Sequence, residues 1–234
     1  MFEPRQGERV SGPSGFQDLL RPFVLRAALL DGRRFEAGER FSIGVNIFDR
    51  ELPALDYFSQ AFERLGVDGL GPGRVRVQLE ESVECPAVEV DLISPRHSAD
   101  RVTLAFLTPT ELKIGGETLR EPRFGALIRR ARDRVAGLIR LYQPRADLQD
   151  IDFRGLGERS DSIRLTAERI EQHDYRRRST RTGQVHGLGG FTGEADYEGD
   201  LTEFLPWIEA LRWTGVGRLT IWGNGVVHVL TPDS

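Results

Sequence analysis

Apolar and polar positions along this chain alternate with a period of two in some stretches and of three to four in others. RPFVLRAALL (21–30) and RFSIGVNIF (40–48) are apolar runs joined by DGRRFEAGE, as two strands and a connection would be. Leu55, Phe58, Ala61, Phe62 and Leu65 recur at helical spacing, with Pro53 in the first turn and Gly66 at the end, which predicts a helix. VRVQLE (75–80) and AVEVDLI (87–93) alternate as strands on either side of Pro86, and SPRHSAD (94–100) reads as a polar connector between halves.

The second half is patterned more sharply. RVTLAFL (101–107) reads as a strand, and Pro122 opens a long helix carrying Phe124, Leu127, Ile128, Ala131, Val135, Leu138, Ile139 and Tyr142 on one face. A loop from Pro144 to Ser160 leads to the strand SIRLTAERI (162–170). FTGEADYEG (191–199) sets Phe191, Gly193, Ala195 and Tyr197 against Thr192, Glu194, Asp196 and Glu198, a strand with one wet face. Asp200 and Glu203 form an acidic version of a capping box before Leu201, Phe204, Leu205, Ile208 and Leu211, and VVHVL (226–230) closes the pattern. In order, residues 101–230 spell βαββαβ, the ferredoxin-like unit in which two helices cover one face of a four-stranded antiparallel sheet. Residues 21–93 read as what remains of a second such unit without its first strand and helix. The expected class is therefore α+β, two tandem ferredoxin-like units resembling RNA-recognition folds, over a polar lead (1–20), an incomplete N-terminal domain (21–98) and a C-terminal domain (99–234).

Composition changes this picture in two ways. With 39% hydrophobic and 29% charged residues the chain is an ordinary globular one, and no apolar run approaches a membrane span, so a cytoplasmic protein with no membrane partner is expected. The single cysteine, Cys85, and four scattered histidines (His97, His173, His186, His228) have no metal-ligand spacing, and neither metal nor cofactor is expected. The net charge is −4, yet Lys113 is the one lysine among 32 basic residues and the arginines are unevenly placed. RRARDR (129–134) fits solvated charge on a helix face. In RRRSTR (176–181), Arg176, Arg177 and Arg178 leave a strand side by side and repel one another unless an anion lies between them.

WTGVGRLTIWGNG (213–225) packs four glycines and Arg218 into one loop before the last strand. It lacks the nucleotide-binding forms G-x-x-x-x-G-K-[ST] and G-x-G-x-x-G. Taken with LTPTELK, GGFTGE and G-V-G-R-x-T-x-W-G-x-G in this order, the chain resembles the CRISPR-associated endoribonucleases of the RAMP superfamily that process precursor CRISPR RNA. The matching stretches cover most of residues 20–230. The resemblance implies that CRISPR repeat RNA is the partner, with other CRISPR effector subunits as further partners, and that this loop holds RNA backbone. Amide groups freed by Gly215, Gly217, Gly223 and Gly225 can face phosphate oxygens, Arg218 supplies charge, Trp222 can stack, and Gly189 and Gly190 allow a close RNA approach.

In that family a strand and helix commonly precede the part corresponding to Arg21, and the helix supplies a catalytic histidine; here Met1 is expected to fall just after them. Metal-independent cleavage needs a base for the 2′-hydroxyl, an acid for the leaving oxygen and donors for the phosphorane-like charge. Arginine serves the third role and not the first two. His186, beside the glycine pair, is the catalytic candidate, with Tyr175 and Tyr197 behind it as proton-transfer groups, while His228 is expected to pack. Two functions follow: an endonuclease of precursor crRNA, or a RAMP-type RNA-binding subunit that cuts nothing. A metabolite-binding module fits the clustered arginines poorly. Unpaired strand edges in the N-terminal half imply either self-association or an exposed, mobile 21–48.

Overall fold

The computed structural model describes residues 20–230 apart from 28–29, 31, 50–53, 72, 94–97, 144, 175, 179–184 and 188, with backbone alone for 176–178 and 185–187. Positions 1–19 of the polar lead, His97 and Tyr175 lie outside the described residues. Strands β1 (Phe23–Arg26) and β2 (Gly44–Ile47) pair antiparallel, and helix α1 (Ala54–Asp68) follows. Next come β3 (Arg101–Thr110), the small hairpin β4 (Lys113–Ile114) and β5 (Glu117–Thr118), helix α2 (Phe124–Tyr142) and helix α3 (Phe153–Arg159). The chain continues through β6 (Arg164–His173), β7 (Arg176–Arg178), β8 (Val185–Gly187), β9 (Gly190–Glu198), α4 (Leu205–Thr214) and β10 (Val227–Leu230).

The C-terminal sheet runs β10-β3-β9-β6 with every pair antiparallel, the ferredoxin-like order that the βαββαβ pattern predicts. Its buried face carries Val102, Leu104 and Phe106 of β3 and Phe191, Ala195 and Tyr197 of β9. Leu127, Ile128, Ala131 and Val135 of α2 and Trp207, Ile208 and Leu211 of α4 join them in one core. Phe124 meets Tyr197 at 5.1 Å and Phe204 at 5.3 Å between ring centres, so aromatic contacts lock α2 to β9 and to the start of α4. The opposite strand face is polar: Arg169 pairs with Glu194 (2.9 Å) and Asp196 (3.2 Å), and Arg101 and Arg164 both reach Glu198. The arginines and carboxylates named here compensate one another, so they offer a polyanion little net charge.

Four local expectations change. The Pro144–Ser160 stretch contains α3, capped by Asp152, whose side chain accepts a hydrogen bond from the Gly155 amide. Helix α4 starts one turn late, at Leu205 behind a 3-10 turn at Thr202–Phe204, because Glu203 turns outward to Arg159 (2.7 Å) instead of closing a capping box with Asp200. Residues 176–187 add a hairpin, β7 with β8. In the N-terminal half, 75–80 and 87–93 form no strand ladder; an isolated bridge joins Leu70 to Val75. Val90 and Leu92 nevertheless rest against the C-terminal core, so the period-two pattern there serves side-chain contact without backbone pairing. No helix of the described residues is long and apolar enough to cross a membrane.

Amide hydrogen exchange is expected to divide the chain along these lines. Amides of β3 and β9 should be the slowest, and those of 78–93 should exchange near the rates of unstructured peptide. Strong protection throughout 78–93 would mean that a strand ladder forms there after all.

Candidate nucleic-acid interface

Because β3 is antiparallel to both β9 and β10, the segments that lead into those two strands emerge at the same end of the sheet. Phe191 lies opposite Thr110 and Val227 opposite Phe106. The pairing shifts between Phe106 and Thr110, and Pro109, which has no amide to donate, falls inside that irregularity. The freed groups bind the glycine loop: Gly225 donates its N–H to Pro109 O (3.1 Å) and Val226 donates to Thr108 Oγ1 (2.9 Å). The Leu107 amide donates to Val226 O (2.9 Å). LTPTELK is thus the seat on which the loop is built.

Backbone lies on backbone there, and that is what the glycines are for. At Gly225 (φ +73°) a Cβ would stand 1.8 Å from Val216 O, and at Gly217 (φ +83°) 2.4 Å from Glu111 O. Gly190 has the Thr110 backbone 2.6 to 2.8 Å from the place a Cβ would take, which brings the GGFTGE stretch onto the same seat. Gly189 faces His173 O, Gly223 faces Leu25 O of β1, and Gly215 closes α4 by donating to Leu211 O (2.9 Å). Leu219 is held left-handed at φ 61°, ψ 23°, a strained conformation for a branched residue and one of the kind that gathers at ligand sites. Among the described residues, no hydrogen-bond acceptor meets the amides of Gly217, Arg218 or Leu219.

The charge at this end is already partly neutralised. Arg218 Nη1 donates to both carboxylate oxygens of Glu111 (3.1 and 3.2 Å), and Lys113 Nζ lies 3.2 Å from Glu111 Oε1. Glu111 is nearly buried while the Arg218 side chain is half exposed, so two cations share one carboxylate and a net positive charge faces outward. Glu111 is a site residue that hydropathy does not single out; its signal is the acid inside LTPTELK. Arg176, Arg177 and Arg178 occupy β7 opposite Gly187, His186 and Val185, in the hairpin that leaves the sheet where His173 pairs with Gly190. His186 is therefore placed by its backbone opposite Arg177.

RRARDR, by contrast, is turned mostly to internal partners, although Arg134 Nη2 is buried with no hydrogen-bond partner among the described residues. Arg129 is paired with Asp161 and holds that carboxyl below the usual range. Arg130 donates to Lys113 O (2.9 Å) and Arg132 to Asp133 (2.7 Å) and Phe153 O (2.6 Å). Arg134 is buried and donates to Thr214 O (2.7 Å); burial lowers its pKa to about 10. It sits at the carbonyl end of α4, where the helix dipole favours a cation, and so fixes the entry to the glycine loop.

Among the remaining candidates, Tyr197 is locked in the core with its hydroxyl on Pro122 O (2.6 Å), and burial pushes its phenol pKa far up. It transfers no proton at a surface site. His173 Nε2 contacts Thr192 Oγ1 at 2.6 Å. Trp222 is 45% exposed on the loop, whereas the Trp213 ring lies 5.5 Å beneath the Arg212 guanidinium and its carbonyl accepts from Asn46 Nδ2 (2.8 Å).

A family model described as CRISPR-associated endoribonuclease Cas6 matches residues 104–227, more than half of the chain and all of the seat and loop. A separate model, described as an N-terminal domain, matches residues 1–100. Among solved structures, the product complex of Thermus thermophilus Cas6 is 20% identical, with 92% of this chain and 84% of that chain covered and a TM-score of 0.59. A second Cas6 product complex is 18% identical, with 95% and 88% covered and a TM-score of 0.55. At such identities the likeness is one of fold. In another structure of the Thermus protein the match spans 57% of this chain and 55% of that one, with a TM-score of 0.45. No curated protein matches the chain in sequence.

Two alanine substitutions separate conformational freedom from close approach. Gly115 has φ +59° with open space where a Cβ would go, so Gly115→Ala should cost about 1 kcal/mol from the left-handed backbone alone. Gly225→Ala adds a backbone collision and should cost at least ~1 kcal/mol more in urea unfolding. Equal losses would show that the loop does not lie on Val216 as described.

Proposed function

From its place in the CRISPR-associated endoribonuclease Cas6 family, to which this chain belongs, we propose that it binds CRISPR repeat RNA and cleaves precursor crRNA in the cytoplasm by metal-independent attack of the 2′-hydroxyl. The observation that carries this reading is the convergence of the glycine loop and the arginine hairpin on one end of the C-terminal sheet, inside the segment that the family model covers. Phosphates are taken by the outward charge of Arg218 and Lys113, by Arg176, Arg177 and Arg178, and by the loop amides around Gly217. The exposed Trp222 ring is a stacking surface for a base. Gly189, Gly190, Gly215, Gly223 and Gly225 act by shaping the backbone against which RNA lies.

In the chemical step, the same guanidinium and amide donors would stabilise the charge on the pentacoordinate phosphorus. A base must take the 2′-hydroxyl proton and an acid must protonate the 5′-oxygen; His186, across from Arg177, is the proposed group for proton transfer. The same glycine loop and arginine strand also fit a RAMP-type subunit that binds and does not cut, serving a larger CRISPR effector assembly. The domain division at the 94–100 connector belongs to the same reading: the C-terminal domain carries the RNA contacts.

Cleavage of a repeat RNA should persist in EDTA, leave a 2′,3′-cyclic phosphate and stop when the scissile nucleotide is 2′-deoxy. Loss on chelation would overturn the mechanism, and binding without any cut would select the silent subunit. Arg218→Ala should weaken RNA binding and reduce the slope of log K against log salt by roughly 0.7 to 0.9, one phosphate contact. An unchanged slope would remove the loop from the interface.

A further inference from the structure

Most arginines around the C-terminal sheet are matched to carboxylates or to carbonyl groups, but Arg26 and Arg212 are not. Arg26 ends β1, which packs on the helical turn at Thr220–Trp222 and on the end of α4; α4 in turn packs on β10. At this three-way junction Arg26 Nη1 is buried with no hydrogen-bond partner among the described residues. Gly44, opposite Arg26 in the hairpin, lets the Arg26 stem lie close against β2: a Cβ there would lie 3.1 Å from Arg26 Cβ. Arg212 is the second cation, exposed at the end of α4 with its guanidinium over the Trp213 ring. His228 of β10 is the third basic group.

The three act on one another. Burial and Arg212 depress the Arg26 pKa, while burial, Arg212 and Arg26 depress that of His228. Among the described residues, no carboxylate pairs with any of them. A buried guanidinium nitrogen without an acceptor, beside a like charge, is unfavourable as it stands and becomes favourable when an anion arrives. The place is adjacent to the glycine loop, since Leu25 O of β1 is the atom facing Gly223.

We propose that Arg26 and Arg212, with His228 beside them, form a phosphate site that continues the RNA track past the glycine loop. As a phosphodiester subsite it rests on the RNA-binding reading; as an anion site it stands on the junction itself. It places β1, and hence the N-terminal half, in direct contact with the ligand. Its cost to the free protein is part of the claim: the cation that helps binding strains the empty fold.

The test uses the full chain as wild type, Arg26→Met and Arg212→Gln, with two probes, inorganic phosphate and repeat RNA. Inorganic phosphate should raise the wild-type Tm above its value in chloride at matched ionic strength, and this gain should vanish in both variants. In chloride, Arg26→Met should melt roughly 2–4 °C higher than wild type, since a buried unpaired donor and a repulsion are both removed. Each variant should bind repeat RNA at least about ten-fold more weakly. A phosphate gain lost in the variants, with no RNA binding by any of the three proteins, would uphold the anion site while defeating the RNA reading. Retention of the full phosphate gain and of wild-type RNA affinity in both variants would overturn the proposal. So would a lower Tm for Arg26→Met with unchanged phosphate response, because Arg26 would then be a packing residue.

Discussion

The loop 215–226 lies directly on the backbone of Thr108–Glu111, closer than any side chain would allow, and the arrangement of this molecule depends on that contact. Gly217 permits it, Gly225 lets the loop close on its own Val216 carbonyl, and Thr108 and Pro109 satisfy the amides of Val226 and Gly225. The buried end of the loop would otherwise leave polar backbone groups stranded; here the irregularity in β3 supplies partners for Gly225 and Val226. Arg134 holds the other end of the loop by capping α4 from within the core. A rigid seat of this kind presents loop amides at fixed positions, so a phosphate would find donors already oriented.

Electrostatics sorts the arginines into two groups. RRARDR and the strand-face arginines stabilise the fold through carboxylates and carbonyls, in a chain whose 36 acidic residues outnumber its 32 basic ones. A second set lies toward the end of β3. Arg218 and Lys113 share Glu111, the β7 arginines sit in the hairpin nearby, and Arg26 lies within the electrostatic reach of Arg212 beyond the loop. Local excess, rather than net charge, gives a polyanion somewhere to bind.

The C-terminal unit is the part most plainly written in the hydropathy pattern, because each of its elements is amphipathic against a single core: Phe191, Ala195 and Tyr197 point inward as their alternation implies, and Leu127, Ile128, Ala131 and Val135 lie on one side of α2. Patterns fail where side chains satisfy a rule that the backbone does not. Val90 and Leu92 alternate like a strand yet pair with no neighbour, and Glu203 has the place of a capping residue but pairs with Arg159. The glycines of the loop were legible as a place of close approach; what they approach was not, since the seat is a hundred residues upstream. Glu111, Arg26 and Arg212 carry no pattern of their own, and their roles arise only when β1, β3 and α4 meet.

On the proposed function, RNA is taken at the end of β3 and not on the open face of the sheet. Hydrogen exchange measured with and without repeat RNA tests it most directly. Protection should appear in the amides of 215–226, in Lys113–Ile114 and in the β7–β8 hairpin, while the exchange of Glu194–Glu198 and Arg164–Arg169 stays as in the free protein. Protection concentrated on those sheet residues, with the loop unchanged, would contradict it.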